Sequence, residues 1–528
     1  MVKVLISDKL SLAAVEIFRN RGIEVDVKTG LAPADLRAII GNYDGLAIRS
    51  ATKVTRELLD AAPNLRVVGR AGIGVDNVDV KSATARGVVV MNTPYGNAIT
   101  TAEHAIAMMF ALARQIPEAS TSTKAGKWEK NRFMGVELTN KTLGLVGCGN
   151  IGTIVADRAQ GLKMRVVAYD PYLTEKRALA LGVEKMELND LLARADFITL
   201  HTPLTDATRN LISRDAIAKM RKGVRIINCA RGGLVDEAAL ADALRSGQVG
   251  GAALDVFEVE PATDSPLFGL ENVVCTPHLG AATAEAQENV ALQVAEQMSD
   301  FLLSGAVANA INMPSVSAEE APRLRPYMEL CRLLGAMAGQ LTQARDGTIK
   351  SVTIEYEGLA ANLNHRPLNA AALAGLLGPM IEGANMVNAP VLARERGIDV
   401  AEVVHDRPSE YQTLVRLTVM TDQATRALAG TLFAASRPRI VEIKGIRVEA
   451  DFARHMLYVT NQDKPGFIGR FGATLAGAGI NIATFHLGRS EQGGDAICMV
   501  SVDEPVPEAV LAMVRTLPLV MQATALNF

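Results

Sequence analysis

The sequence predicts an α/β protein made of two doubly wound parallel-sheet domains, followed by an α+β domain and a small ferredoxin-like βαββαβ unit. Three observations predict it. Short apolar runs alternate with amphipathic helical runs through the first half of the chain. A glycine-rich turn joins a strand to a helix at 147–152. The last stretch, 454–528, runs strand, helix, strand, strand, helix, strand. A chain of 528 residues also exceeds what one hydrophobic core supports, so three to four domains are expected.

The elements follow in order. Strands are expected at 3–7, 24–27, 45–49, 67–69 and 88–91, each rich in Val, Ile or Leu, with helices at 12–19, 34–40 and 56–61 between them. A long helix is expected over 100–115. A second series then places strands at 142–146, 165–169, 197–201, 224–228, 251–256 and 272–275. The helix 284–303 is too long for a simple exit and is expected to return onto the first domain, making it discontinuous. Three prolines within 312–326 read as a linker. Beyond it, strands are expected at 348–356 and 412–420 and a helix at 370–381. The expected divisions are 1–98 with 284–314, 99–283, 317–450 and 454–528.

Composition excludes several classes. Lysine and arginine total 54 against 57 acidic residues, a net charge of −3, which leaves no electrostatic footprint for nucleic acid. Aromatic residues make up 4%, too few for base-stacking platforms. No apolar run reaches the length of a membrane span. Five scattered cysteines form no CxxC pair, and the chain opens on a strand with no signal-peptide pattern. A reduced, cytoplasmic protein is expected. No histidine pair has metal-ligand spacing, so no metal is expected.

The cofactor motif is GCGNIG (147–152), preceded by the strand TLGLV and followed by a helical stretch from Thr153. Gly147 permits the tight turn, Gly149 lets a pyrophosphate approach the backbone, and Gly152 lets helix pack on strand. The free N–H groups of the helix start suit phosphate. Asp170, eighteen residues after Gly152, ends the next strand. Its carboxylate can accept the ribose 2′-hydroxyl and would repel a 2′-phosphate, which favours NAD over NADP.

Three residues stand just beyond later strands of the same sheet: Arg231, Glu260 and His278. Ligands of open α/β sheets bind beyond the carboxyl ends of the strands. Oxidising a 2-hydroxy acid needs a base for the hydroxyl proton while hydride leaves the same carbon. His278 suits the base. Glu260 would orient its ring and favour its charged form. Arg231 would hold the substrate carboxylate or polarise the carbonyl with its planar fork.

GRAGIGVDNVD (69–79), GCGNIG (147–152), HTPL (201–204), NCARGGLVDE (228–237), LDVFEVEP (254–261) and TPHLGAAT (276–283) together resemble the D-isomer-specific 2-hydroxyacid dehydrogenases. The resemblance implies an inserted Rossmann domain for NAD and an Arg–Glu–His catalytic set. It adds Ile73, Asn150, Ile151, Thr202, Cys229, Ala230, Asp255, Leu279, Gly280 and Ala281 as cofactor contacts, beside Arg231 and His278.

Within that family the chain is most similar to the long, phosphoglycerate-oxidising branch. GLAIRSATKVT (45–55) looks like its substrate loop, with Arg49 and Ser50 at the substrate and Lys53 nearby. NTPYGNAITTAEH (92–104) brings Asn97, and Arg231 and His278 complete the substrate set. GKWEKNRFMGVEL (126–138), which holds Trp128, resembles a segment packed near a partner subunit, with Lys130 and Arg132 adding charge near a phosphate. VNAPVLARERGI (387–398) resembles the intervening domain of the long forms. NQDKPGFIGRFGATLAGAGINI (461–482) resembles an ACT regulatory domain, with Asn461, Asp463 and Asn481 carried over as contacts for L-serine.

The expected activity is NAD-dependent oxidation of 3-phospho-D-glycerate, regulated by L-serine, in a homotetramer. Two other readings stand beside it. One is a reductase of 2-oxoglutarate, hydroxypyruvate or glyoxylate with the same catalytic set. The other is an NAD-sensing binding protein, which the complete Arg–Glu–His set argues against.

Overall fold

The computed structural model describes residues 1–317, 319–344, 347–405 and 410–528. Strands β1 Lys3–Ile6, β2 Glu24–Val27, β3 Gly45–Ile48, β4 Val67–Arg70 and β5 Val89–Met91 form a parallel sheet in the order β2-β1-β3-β4-β5. Apart from Lys3 at the start of β1 and Arg70 at the end of β4, the inner strands are apolar because helices cover both faces. One covering helix, Ala284–Ser304, comes from far downstream. Its Val294 and Met298 press on Gly69 of β4, where a Cβ would stand 2.2 Å from the Met298 sulfur.

The second sheet contains β6 Thr142–Val146, β7 Arg165–Tyr169, β8 Glu184–Lys185, β9 Phe197–Leu200, β10 Val224–Asn228, β11 Val249–Leu254 and β12 Val273–Cys275. Its order is β12-β11-β10-β9-β6-β7-β8, all parallel. The order reverses at β6, between β7 and β9, and that switch point opens a crevice beyond the strand ends. The helix Ala98–Arg114 runs from the first sheet onto the second.

The expected linker 312–326 is partly helical. The helix Ala321–Gln343 begins inside it, because Pro322 sits in the first turn, where no N–H is needed. The domain beyond is also richer than the sequence indicates. It holds β13 Ile349–Gly358, β14 Asp399–His405, β15 Thr413–Thr421, β16 Thr425–Phe433, β17 Arg437–Ile443 and β18 Ile446–Asp451. Their order is β14-β13-β15-β16-β17-β18. The turns after β16 and β17 place Ala434, Ala435 and Lys444 at positive φ, without the Asn-Gly pair that marks a hairpin. The helix His365–Leu377 packs on Ala321–Gln343 through Gly335, Gly339 and Gly375.

The last sheet is antiparallel, in the order β20-β21-β19-β22, from β19 His455–Gln462, β20 Ile482–Arg489, β21 Asp495–Val502 and β22 Val520–Asn527. Helices Phe467–Gly477 and Glu508–Arg515 cover one face. The other face places Met456, Tyr458, Ile497 and Met499 in one core with the preceding domain.

That preceding domain also reaches back to the first sheet. Val387 is buried in the core of the N-terminal domain beside Val4, Val89 and Met298. Asn385 and Asn388 donate side-chain hydrogen bonds to the carbonyls of Gly87 (3.1 Å) and Ala85 (3.4 Å), at the end of the helix Val80–Ala85. Among the described residues, no helix is long and apolar enough to cross a membrane.

Candidate active site

The glycine turn lies between β6 and the helix Asn150–Gly161. Gly147 has φ +94, and a Cβ on Gly152 would stand 2.1 Å from the Gly147 carbonyl oxygen. Gly149, the N-cap, has nothing within 4 Å of a Cβ position and caps with no side chain. The helix start is therefore open to an anion. Asp170 is anchored at the turn, accepting from Cys148 N (2.8 Å) and Tyr172 N (2.8 Å). Beside it, the buried His201 Nδ1 and Thr202 Oγ1 have no hydrogen-bond partner. Burial holds the His201 imidazole neutral, its pKa pushed down to about 4. Orphaned buried polar atoms need a partner, so the open helix start, the anchored Asp170 and these two atoms fit a dinucleotide.

His278 and Glu260 meet: His278 Nδ1 lies 2.7 Å from Glu260 Oε2, and the other Glu260 oxygen accepts from Phe257 N at 3.1 Å. Nδ1–H donating to the carboxylate leaves Nε2 as the basic nitrogen. His278 has φ +56, an unusual backbone for a side chain this large. Its loop is held by Asp255, which is fully buried and accepts from Leu279 N (2.7 Å), Gly280 N (2.8 Å) and Thr276 Oγ1 (2.6 Å). Asp255, expected at the cofactor, thus spends its carboxylate on the loop.

Arg231 follows β10. Its Nε donates to Asp76 Oδ2 at 2.9 Å and its Nη1 to the Ala230 carbonyl at 2.6 Å. Cys229 and Ala230 are buried at the same strand end, and Ile73 accepts from Asn92 Nδ2 at 2.6 Å. Asn97 caps the helix Ala98–Arg114, with its Oδ1 buried and unpartnered. Asn150, at the start of the helix after the glycine turn, donates to the Pro94 carbonyl at 3.3 Å. The Arg49–Thr52 loop, Ser50 included, is pinned by Asp8, which accepts from Arg49 N (2.6 Å) and Thr52 N (3.1 Å).

Arg70 escaped the sequence reading. It ends β4 and pairs in register with Ile48, so it emerges beside Arg49. Burial, then the charges of Arg231 and Arg49, push its pKa down to about 10. Its Nε is buried without a partner. Two glycines of one loop seat this guanidinium and that of Arg231. A Cβ on Gly72 (φ +144) would stand 1.6 Å from Arg70 Nη1, and one on Gly74 1.8 Å from Arg231 Nη2. A cation at the carboxyl end of a parallel strand, next to Arg49, is the signal that would have found it.

Arg132 is paired with Glu129 and Glu271 on the surface, and Trp128 is 87% exposed. In the terminal domain Asp463 is occupied by Arg489 Nη1 (2.8 Å) and Gly493 N (3.1 Å), and Asn481 donates to Asp503 (2.7 Å). Asn461 is buried, with its Oδ1 unpartnered.

Comparisons agree along the whole chain. Residues 106–280 match the NAD-binding domain of D-isomer-specific 2-hydroxyacid dehydrogenases, 323–444 the D-3-phosphoglycerate dehydrogenase intervening domain, and 455–518 the ACT domain. D-3-phosphoglycerate dehydrogenase of Synechocystis is 43% identical over 97% of this chain and 92% of its own. That of Bacillus subtilis is 42% identical over 98% of each. Among solved structures, a glyoxylate reductase from Paecilomyes thermophila is 29% identical, with a TM-score of 0.55 over 59% of this chain and 98% of its own. D-lactate dehydrogenase from Aquifex aeolicus, complexed with NAD and lactic acid, is 26% identical, with a TM-score of 0.53 over 59% of this chain and all of its own.

Proposed function

The chain belongs to the D-3-phosphoglycerate dehydrogenase family, and on that premise we propose how its own residues perform the reaction. The protein is an NAD-dependent oxidoreductase that converts 3-phospho-D-glycerate to 3-phosphooxypyruvate, the entry to L-serine synthesis. NAD, when bound, supplies the hydride acceptor. The N-terminus of Asn150–Gly161 binds the pyrophosphate, and Asp170 takes the ribose hydroxyls. Asn150, Ile151, Thr202, Leu279 and Ala281 are the further NAD contacts of this reading.

Arg231 holds the substrate carboxylate, which takes the place of Asp76 on its guanidinium. Arg49 and Arg70 meet the phosphate, and Asn97 and Ser50 add hydrogen bonds. His278 Nε2 accepts the C2 hydroxyl proton as hydride departs from C2. Glu260 fixes the tautomer and stabilises the imidazolium that forms. In the reverse direction the same imidazolium returns the proton to the carbonyl oxygen.

The observation that carries the reading is the His278–Glu260 pair at 2.7 Å. The test is NADH oxidation with 3-phosphooxypyruvate, hydroxypyruvate and 2-oxoglutarate side by side. A clear kcat/KM preference for the phosphorylated acid is expected, and equal or lower turnover of it would overturn the assignment.

The domain divisions 1–98 with 284–314, 99–283, 317–450 and 454–528 are the units this reading uses. The ACT domain is a small-molecule regulatory module, and L-serine is its effector, held between paired modules. Asn461, Asp463 and Asn481 take the amino acid, with Arg489 giving way to the serine amino group at Asp463. The exposed Trp128 and Met134 suit a subunit contact, and the assembly is a homotetramer. Five free cysteines fit a reducing, cytoplasmic setting.

A further inference from the structure

His104, on the helix Ala98–Arg114, lies outside every set named so far. Its Nε2 stands 3.2 Å from Asp255 Oδ1 and 3.3 Å from Thr276 Oγ1. Asp255 is a carboxylate with no exposed surface, so its charge must be met by donors inside the protein. Those donors fall into two groups. Leu279 N and Gly280 N belong to the loop that carries the catalytic base, and the Asp255 backbone carbonyl accepts from His278 N at 2.9 Å. Thr276, where the loop leaves the strand Val273–Cys275, and His104, from the helix outside the loop, meet the same carboxylate.

Burial alone would raise the pKa of Asp255. The hydrogen bonds from His104, Thr276 and Leu279 together hold it below the usual carboxylate range. The same helix grips the loop again one turn earlier, where Thr101 Oγ1 donates to the Gly280 carbonyl at 2.9 Å. The loop needs such support, because His278 is held at φ +56, a conformation disfavoured for a non-glycine residue.

We infer that His104 is a positioning residue for the reaction: through Asp255 it fixes the loop that aims His278 at the substrate. A second His–Asp pair thus stands behind the first His–Glu pair. It touches neither substrate nor cofactor and acts only by holding the carboxylate that holds the loop. The helix it sits on follows directly on Asn97, the substrate contact proposed above, so one rigid element sets both that contact and the base. Misplacement of about 1 Å at a reacting group can cost on the order of a hundredfold in rate.

The inference rests on the dehydrogenase reading, so the test includes a control for it. His104→Met, His104→Gln and Thr276→Val are compared with the wild type by kcat, KM and NADH affinity from calorimetry. Glutamine keeps a donor near the Nε2 position, and methionine does not. With His104→Met, kcat should fall on the order of tenfold, while KM and the NADH Kd stay within twofold. His104→Gln should keep more than half of the wild-type kcat. The primary isotope effect with NADH deuterated at the transferred position should rise in His104→Met.

Unchanged kcat in His104→Met, an equal loss in His104→Gln, or a parallel loss of NADH affinity would each overturn the inference. If His104→Met does not fold, Thr276→Val carries the test: it removes another donor to Asp255 and should show the same kcat-only loss, and an unchanged kcat would refute the role. Wild-type turnover is measured on all three 2-oxo acids. Preference for another acid would fail the substrate assignment alone, and the variants would then be compared on that acid.

Discussion

Replacing Arg70 by methionine should make the ligand-free protein more stable and the enzyme less selective. Free guanidinium groups stay charged above pH 12, whereas Arg70 is pushed down to about 10, first by burial and then by Arg231 and Arg49. Each pH unit corresponds to 1.36 kcal/mol, so holding this charge in the empty crevice costs roughly 3 kcal/mol. Methionine keeps the buried stem and removes the charge with its unpartnered Nε. The first calorimetric transition of Arg70→Met should therefore shift upward, by an amount equivalent to about 1–3 kcal/mol. The lost phosphate contact acts in the opposite direction. A hydrogen bond to a charged group contributes about 1.5–3 kcal/mol, so kcat/KM for 3-phosphooxypyruvate should fall about 10- to 100-fold. Hydroxypyruvate, which lacks the phosphate, should lose less than about threefold. A lowered transition, or equal losses on the two substrates, would refute the reasoning.

His278→Ala should cut turnover at least ~100-fold while NADH still binds by calorimetry, and retained turnover would remove it as the base. NAD should be preferred over NADP, and Asp170→Ala should narrow the gap in kcat/KM; equal use of both by the wild type would contradict the role of Asp170. Gly152→Ala places a methyl group 2.1 Å from the Gly147 carbonyl oxygen, a strain of about 1–3 kcal/mol, and should weaken NAD at least several-fold. Millimolar L-serine should inhibit, Asn481→Ala should relieve it, and no heat of serine binding would leave the terminal domain an assembly unit.

Much of the site could be read in the sequence, because its signals are local. The turn at 147–152 and the residues just past the strands need only a neighbouring strand to be interpreted, and Arg231, Glu260 and His278 stand there. What escaped depends on tertiary packing. In VVGR the last residue reads as a strand end, and only the register with β3 makes Arg70 the neighbour of Arg49. His104 looks like one more helical residue until Asp255 is seen beneath it. The six-stranded sheet is hard to read for a different reason: the hairpin after β16 turns on Ala434 and Ala435, which have no turn preference of their own, and the one after β17 pairs Gly445 with a lysine in place of Asn or Asp.

Val387 gives the chain an order of completion that differs from its order of synthesis. β1 to β5 leave the ribosome first, yet their core includes Val294 and Met298 from one later segment and Val387 from another. At about 5–20 residues per second, the last of these emerges roughly 20–80 s after the first strand. Through that interval the N-terminal sheet carries an unfilled gap and the helix Val80–Ala85 lacks two hydrogen-bond partners. The oldest part of the nascent chain is therefore among the last to be finished, and a chain stopped short of residue 388 would leave that part exposed to chaperones and proteases.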